Sequence, residues 1–493
     1  MLYIRMIVFM VVSLYTSRVI LNSLGVEDFG VYNVVTGFVV AFGFLNSAMT
    51  ASVQRFLTVE FKKDNQGKLN QVFNMSIVIH FFLALIMVGV AEPIGLFFVQ
   101  NKLVIPPERL DAAIWIFHFS VITLFFSIMN VPYRSLIVTH EDMGAFAVIS
   151  LFEAFAKLAA AFLIDAVLFD KLIFYGFLLA GVAILVQVFY MFLCIYKYRK
   201  EVVFKLTWDG MLFKAMCSFA GWNLIGVFAG IAHNQGINIV LNLFGGPVVN
   251  AARAIAYQVS GAANQLVTNF QMAVNPPIMK SYVAKDGRVE RLVLSSSKIS
   301  CILLLCIAIP AIIETPYILK LWLKTVPDYA IGFTRLTLID AVICSMAGPF
   351  HTLFQATGKI KLYQSLISGI LLLNLPFSYL LLYIGLHFDI TFIVSIALSL
   401  FALIIRLILA KKYSSITMGF FLVKVFLPLA LTIVMAVIIP YGLLGVMSEG
   451  VLRLFFVVII SIIILGVGSW FWVLDFNENN LVLNFARRIV HKK

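Results

Sequence analysis

Between residues 250 and 275 the polar and small residues Asn250, Arg253, Tyr257, Gly261, Asn264, Thr268, Gln271 and Asn275 fall three and four positions apart. That spacing places them on one face of an α-helix. Alanines 251, 252, 254, 256, 262 and 263 fill much of the remaining surface. Asn234, Asn238 and Asn242 repeat the spacing just upstream, and Asn33, Thr36, Gly43, Asn46, Thr50 and Gln54 repeat it near the N-terminus. Amides and hydroxyls both donate and accept hydrogen bonds. Such a face either knits helices together or lines a water-filled cavity. For one amide the first reading is the ordinary one; for whole stripes on two helices the cavity is the better reading.

The charged residues are fewer and more pointed. Arg18, Arg55, Arg134 and Arg253 each lie within a few turns of a helix end, so each either snorkels to a nearby interface or faces the interior. Lys157 lies mid-helix, and Glu153 four positions earlier shares its face, the spacing of an internal ion pair. Asp340 also lies well inside its helix, with no local partner. A lone buried carboxylate tends to take up a proton, as a proton-coupled carrier requires, while a hydrogen-bonded structural role is the equal alternative. Glu92 and Glu314 read as interface residues beside prolines. The five cysteines and seven histidines show no metal-ligand spacing and no disulfide framework, so no metal site is expected.

The elements that hold these residues follow from composition. The 493-residue chain is 62% hydrophobic and 12% charged, against about 25% charged in soluble domains. It is therefore an all-α integral membrane protein. A spanning helix needs about 20 apolar residues. Fourteen stretches qualify, at 1–21, 31–58, 72–99, 112–138, 144–168, 172–196, 213–243, 248–276, 292–315, 331–356, 362–385, 390–410, 419–441 and 451–474. Connections on alternating sides carry 22 Lys and Arg against 5. That bias predicts a cytoplasmic C-terminus, and the even helix count predicts the same for the N-terminus. It also explains the net charge of +13, leaving no need for nucleic acid. Arg5 stands so early that the first span is short, which favours a natural first helix beginning upstream.

The chain repeats itself. "MNVPYRSL" (129–136) returns as "MAGPFHTL" (346–353), "VILNSLG" (19–25) as "IVLNLFG" (239–245), and "SVQRFLTVEFKKD" (52–64) loosely as "AVNPPIMKSYVAKD" (273–286). The separations are close to 217–222 positions, or six helices. Six is even, so the copies point the same way. Parallel repeats of this kind place a substrate site at their interface. The expected layout is a six-helix lobe at 1–200, a second at 201–413, a central cavity, and two further helices with a tail at 414–493. Mid-helix prolines at 132, 310, 349, 376 and 428 predict bends, because proline removes a backbone donor that neighbours must replace.

"LNSLGVEDFGVYNVV" (21–35), "NAARAIAYQVSGAANQLVTNFQMAVNPPIMKSYVAKD" (250–286) and the fourteen-helix layout resemble the Wzx-like polysaccharide flippases of the multidrug/oligosaccharidyl-lipid/polysaccharide (MOP) exporter superfamily. The resemblance implies two six-helix lobes around a cavity and ion-coupled alternating access in the bacterial cytoplasmic membrane. It implies an undecaprenyl-pyrophosphate-linked oligosaccharide as substrate, a proton or sodium ion as partner, membrane lipids around it, and polysaccharide assembly proteins nearby. Arg253, and less directly Arg18, carry over from the matched motifs. Arg55 and Arg134 join them by position as diphosphate ligands. Asn234, Asn238, Asn250, Tyr257 and Asn264 are the expected sugar contacts. Asp340, Glu153 and Lys157 are the expected coupling groups. A cation-coupled antiporter of drugs or metabolites is the alternative, although it would favour acidic and aromatic lining. A glycosyltransferase or polymerase fits less well, since Glu27 and Asp28 lie in only a short outer turn. No GxxxxGK[ST] motif occurs, so neither ATP drive nor a cofactor is expected.

Overall fold

The computed structural model describes residues 2–62, 66–140, 142–203, 205, 208–284, 287–357, 360–475 and 478. The basic tail beyond residue 478 lies outside them. Every regular element described is helical. In chain order they are α1 (Leu2–Ala41), α2 (Phe44–Lys62), α3 (Gln66–Asn101), α4 (Leu110–Met129), α5 (Val131–Thr139), α6 (Met143–Leu163), α7 (Lys171–Lys197), α8 (Arg199–Val202), α9 (Gly210–Ala284), α10 (Val289–Ile313), α11 (Thr315–Trp322), α12 (Ala330–Ala356), α13 (Ile360–Leu372), α14 (Asn374–Tyr383), α15 (Ile390–Ala410), α16 (Met418–Phe421), α17 (Leu427–Val446) and α18 (Val451–Gly468).

Twelve helical runs among the described residues are long and apolar enough to cross a membrane. Two of them, Val8–Ala41 and His233–Met279, each hold a glycine with positive φ, Gly25 (+82°) and Gly246 (+68°). Side chains rarely adopt that backbone, so only glycine turns the chain there without strain. Dividing the two runs at these glycines gives fourteen segments, roughly the expected count, although the expected span 31–58 is broken at Phe42–Gly43 between α1 and α2. The turning glycine of the second copy is Gly246, one position past the end of "IVLNLFG".

The prolines act in two ways. Pro132 and Pro376 sit in the first turn of α5 and α14, where a missing N–H costs little, whereas Pro428 directly follows a π-helical turn, Leu422–Phe426, within one helical run. Pro310 and Pro349 stand inside unbroken α10 and α12, as does Pro93 inside α3. At Pro349 the freed carbonyl belongs to Ser345, and Gln271 Nε2 donates to it at 3.1 Å. Gly348 makes room for that amide, because a Cβ there would come within 2.3 Å of Gln271.

The helices form two compact units, residues 1–254 with 322–327, and residues 255–321 with 328–493. In the first, α4–α5 and α7 run side by side 61 residues out of step. Arg109 meets Asp170, Cys194 Sγ reaches Tyr133 O, and His140 meets Glu201. Its core gathers Val31, Val34, Ile116 and Phe117 toward one end, and Phe73, Leu136, Ile137 and Cys194 toward the other. In the second unit α10 and α12 pack at the centre, and Leu429, Ala436, Val457 and Leu465 bring α17 and α18 into the same core. Two ion pairs hold α10 there. Glu314 is fully buried and takes a two-pronged bond from Arg453 on α18, 2.8 Å on each arm. Near the opposite end Lys298 is buried against Glu478 at 3.2 Å.

Candidate functional site

The helix turn at Gly246 is built from amides. Asn242 Oδ1 accepts from the Val104 amide at 2.8 Å, and its Nδ2 donates to Asn250 Oδ1 at 3.0 Å. Asn250 Nδ2 donates to the carbonyl and to Oδ1 of Asn238, both at 2.8 Å. Asn238 Nδ2 reaches Asn33 O at 3.3 Å. Asn242 and Asn250 are fully buried and Asn238 nearly so. Arg253, also buried, donates Nη2 to Asn234 O at 2.7 Å. Close approach is enforced nearby, since a Cβ on Gly30 would lie 1.9 Å from Pro247 O. Four of the expected contacts, Asn234, Asn238, Asn250 and Arg253, therefore come together in one lattice of the first unit. Asn234 is its exposed member.

The far end of the α9 stripe also bonds to other helices. Gln271 bonds Ser345 O and Ser300 Oγ, and Asn275 Oδ1 accepts from Thr352 at 2.7 Å. Between these ends the face is open. A Cβ on Gly261 would meet nothing within 4 Å. Asn264 bonds back to Ser260 of its own helix, and Thr268 bonds to Asn264 O. Gln265 and Thr268 are exposed, and Tyr257 is half-buried near Phe392, ring centroids 6.4 Å apart. The stripe thus divides: its ends pack, and its middle three turns present polar groups outward from the second unit.

The remaining candidates are dispersed. Arg18 is half-buried on α1, and Arg55 is exposed on α2. Arg134 is exposed with its guanidinium 5.1 Å from the Phe146 ring centre, a cation–π contact. Glu153 and Lys157 form the i,i+4 ion pair at 2.6 Å, each partly exposed. Asp340 sits on α12 with Oδ1 buried and without a hydrogen-bond donor among the described residues. Ser399, which takes a 3.7 Å contact from Cys344 Sγ, is its polar neighbour on α15. No group of three or more metal-ligating side chains occurs among the described residues.

One cluster escaped the sequence reading. Arg109 clamps Asp28 through Nε (2.7 Å) and Nη2 (2.6 Å), and clamps Asp170 through Nη1 (2.6 Å). Asp170 also caps α7 through the amides of Leu172 and Ile173. Burial pushes the Asp170 carboxyl up, yet Arg109 and the two amides outweigh it and hold it below the usual carboxylate range. The partners lie 81 and 61 positions from Arg109, so no local spacing announces them. The clamp occupies Asp28, one of the two carboxylates in the first outer turn, while Glu27 stays exposed.

Comparison with protein-family models gives no match, and comparison with curated proteins gives none. Solved structures do match. An inward-facing multidrug resistance MATE family transporter of the MOP superfamily superposes with a TM-score of 0.72 at 13% identity, covering 82% of this chain and 94% of that one. The lipid II flippase MurJ, in an inward closed conformation, superposes with a TM-score of 0.69 at 11% identity, covering 95% of this chain and 97% of that one. A MOP superfamily transporter from Pyrococcus furiosus, described as having a binding pocket of reversed polarity, gives 0.63 at 14% identity over 83% of this chain and 93% of that one. These neighbours are transporters and flippases rather than enzymes. Identities this low establish architecture alone: the chain has the multi-pass helical fold of the MOP superfamily transporters.

Proposed function

We propose that this chain is a flippase that carries an undecaprenyl-pyrophosphate-linked oligosaccharide across the bacterial cytoplasmic membrane. The observation that carries the proposal is the open middle of α9. From Tyr257 to Thr268 it offers amide and hydroxyl groups at membrane depth, with no carboxylate among them. Sugars present many hydroxyls that need donors and acceptors together, which amides and hydroxyls supply. Arg253 lies at one end of this stretch, with Arg18, Arg55 and Arg134 as further cations, and a diphosphate is the anion such groups would take. Support also comes from extent. The lipid II flippase matches across 95% of the chain, and the MATE transporter across 82%.

The charge bias of the connections supports cytoplasmic termini, and Asp340 is the proposed coupling group, with Glu153 and Lys157 as a second pair. Replacing Arg253 by Ala, and Asn264 by Leu, in the native host should abolish surface glycan at unchanged protein level. Normal export by both variants would refute the assignment. Asp340→Asn should lose gradient-dependent transport in vesicles. A second reading, a cation-coupled antiporter of drugs or metabolites, is favoured by the half-buried acid Asp340, whose Oδ1 is buried inside α12's packing. It predicts drug sensitivity, with normal glycan, on deletion.

A further inference from the structure

Helices α3 and α4–α5 run antiparallel, and three contacts define their register. Glu92 faces His118 at 3.2 Å, Gly95 faces Phe117, and Phe73 meets Tyr133 edge-on with centroids 5.4 Å apart. His80, between Phe73 and Glu92, therefore comes level with the last turn of α4, where the helix breaks before Pro132. The second unit holds the same construction. Pro93 and Pro310, Met129 and Met346, and Pro132 and Pro349 all stand 217 positions apart. At that separation His80 corresponds to Ser297. Ser297 is fully buried and donates its hydroxyl to Met346 O at 3.0 Å, three residues before Pro349. In that unit a permanent donor on α10 ties down the backbone just before Pro349 of the unbroken α12.

In the first unit the donor is missing by one hydrogen. His80 is fully buried, and its Nδ1 lies 2.7 Å from Ser76 O. A carbonyl only accepts, so Nδ1 carries the hydrogen. A neutral imidazole has one N–H, which leaves Nε2 with a lone pair that cannot bond a carbonyl. Nε2 is buried and has no partner among the described residues. The bend is short of donors as well. Asn130 Oδ1 and Ser135 Oγ, on either side of Pro132, are buried without partners among the described residues.

We infer that His80 is a proton-binding site. Nε2 takes a proton from water, the ring becomes imidazolium, and the new N–H donates to the backbone of the α4–α5 bend near Met129. This bond is the switchable counterpart of the fixed Ser297–Met346 bond. No other bond is made or broken. Described ionisable groups on the packed helices are engaged or distant. On α4, His118 faces Glu92, and Asp111 is at the far end. On α5, Tyr133 packs on Phe73 and Arg134 lies over Phe146. On α2, Arg55 and Glu60 lie toward the basic end. On α8, Glu201 holds His140 beside Arg199 and Lys200. On α1, Asp28 is clamped by Arg109, Tyr32 packs on Tyr175, and the remaining groups are Tyr15, Arg18 and Glu27. A dry imidazolium is costly, so the carbonyl at the bend is what makes the charge tolerable. Proton occupancy and helix geometry are thereby linked.

The test uses the full chain in detergent with labelled histidine. His80, identified by the signal missing in His80→Gln, should change from neutral imidazole to imidazolium as the sample is acidified from about pH 8. Amide exchange across residues 127–136, corrected for its intrinsic pH dependence, should slow on acidification by about tenfold or more, the effect of a charge-assisted bond. His80→Gln, a permanent amide donor, should be protected at both ends of the range. His80→Leu should be protected at neither. An imidazole that stays neutral throughout, or an equal pH response in His80→Leu, would overturn the proposal. Should His80→Leu fail to fold, the titration in the native chain decides alone.

Discussion

Asn250→Ala separates the two roles that a buried amide in this stripe can play. Asn250 makes three hydrogen bonds, two to Asn238 and one from Asn242, at 2.8, 2.8 and 3.0 Å. The Asn238 carbonyl belongs to a helix and keeps its backbone donor. Asn238 Oδ1 and one hydrogen of Asn242 Nδ2 would be stranded in a fully buried site. Each of the two stranded groups costs about 1–3 kcal/mol, so the change should destabilise by about 2–6 kcal/mol. Reported values for interhelical bonds in membranes average about 0.6 kcal/mol, which sets the floor near 1–2 kcal/mol. Thermal denaturation in detergent reads the loss. Asn264→Ala is the control, because among the described residues the Asn264 side chain bonds within its own helix, and it should cost under about 0.5 kcal/mol. If Asn250→Ala were as stable as Asn264→Ala, the lattice would not hold the Gly246 turn. If it were stable yet inactive, Asn250 would contact substrate instead.

Three further outcomes follow from the same geometry. Arg453→Ala strands the buried Glu314 carboxylate and should cost about 3–5 kcal/mol, while the double change Glu314→Gln with Arg453→Met should recover most of it in the same melt. Gln271→Leu removes the donor to Ser345 O and should cost about 1–3 kcal/mol. Adding Pro349→Ala restores the helical N–H for that carbonyl, so the pair should melt closer to wild type than Gln271→Leu alone. Asp142 lies just before α6, and Lys197 foremost, then the Ala145 amide, hold its carboxyl below the usual range. For a lowered carboxyl the stabilisation is complete above the ordinary carboxylate value and is lost as pH falls through its own lower one. Amide protection of the first turn of α6 should therefore hold from about pH 8 to pH 5 and fall below about pH 4, and Asp142→Asn should abolish that step.

Much of the architecture is readable in residue order, because membrane spans report themselves by length and the repeats by "MNVPYRSL" and its echo. The helix count needed Gly25 and Gly246, whose roles depend on φ rather than on composition. Spacing correctly grouped the polar residues of α9 on one face, yet could not say what each part of that face meets. Asn250, Gln271 and Asn275 pack, whereas Gly261, Asn264 and Thr268 lie open. That division depends on where neighbouring helices begin and end. The Glu153–Lys157 pair was visible because it is local. The clamp of Arg109 on Asp28 and Asp170 was not, since it joins residues whose proximity exists only after folding. Pro376 and Pro428 read as bends inside helices, and each stands just after an irregularity in one long helical run, Leu373 before Pro376 and the π-helical turn Leu422–Phe426 before Pro428.

The central claim is that the chain moves a lipid-linked sugar between leaflets. Purified protein in liposomes holding a fluorescent undecaprenyl-diphosphate oligosaccharide tests it, with a membrane-impermeant reagent quenching the outer leaflet. The account predicts that protein carries the quenchable fraction well past the roughly one-half held by the outer leaflet, and that Arg253→Ala does not. A quenchable fraction equal to that of empty liposomes, in a preparation that exchanges a cationic drug for protons, would contradict it.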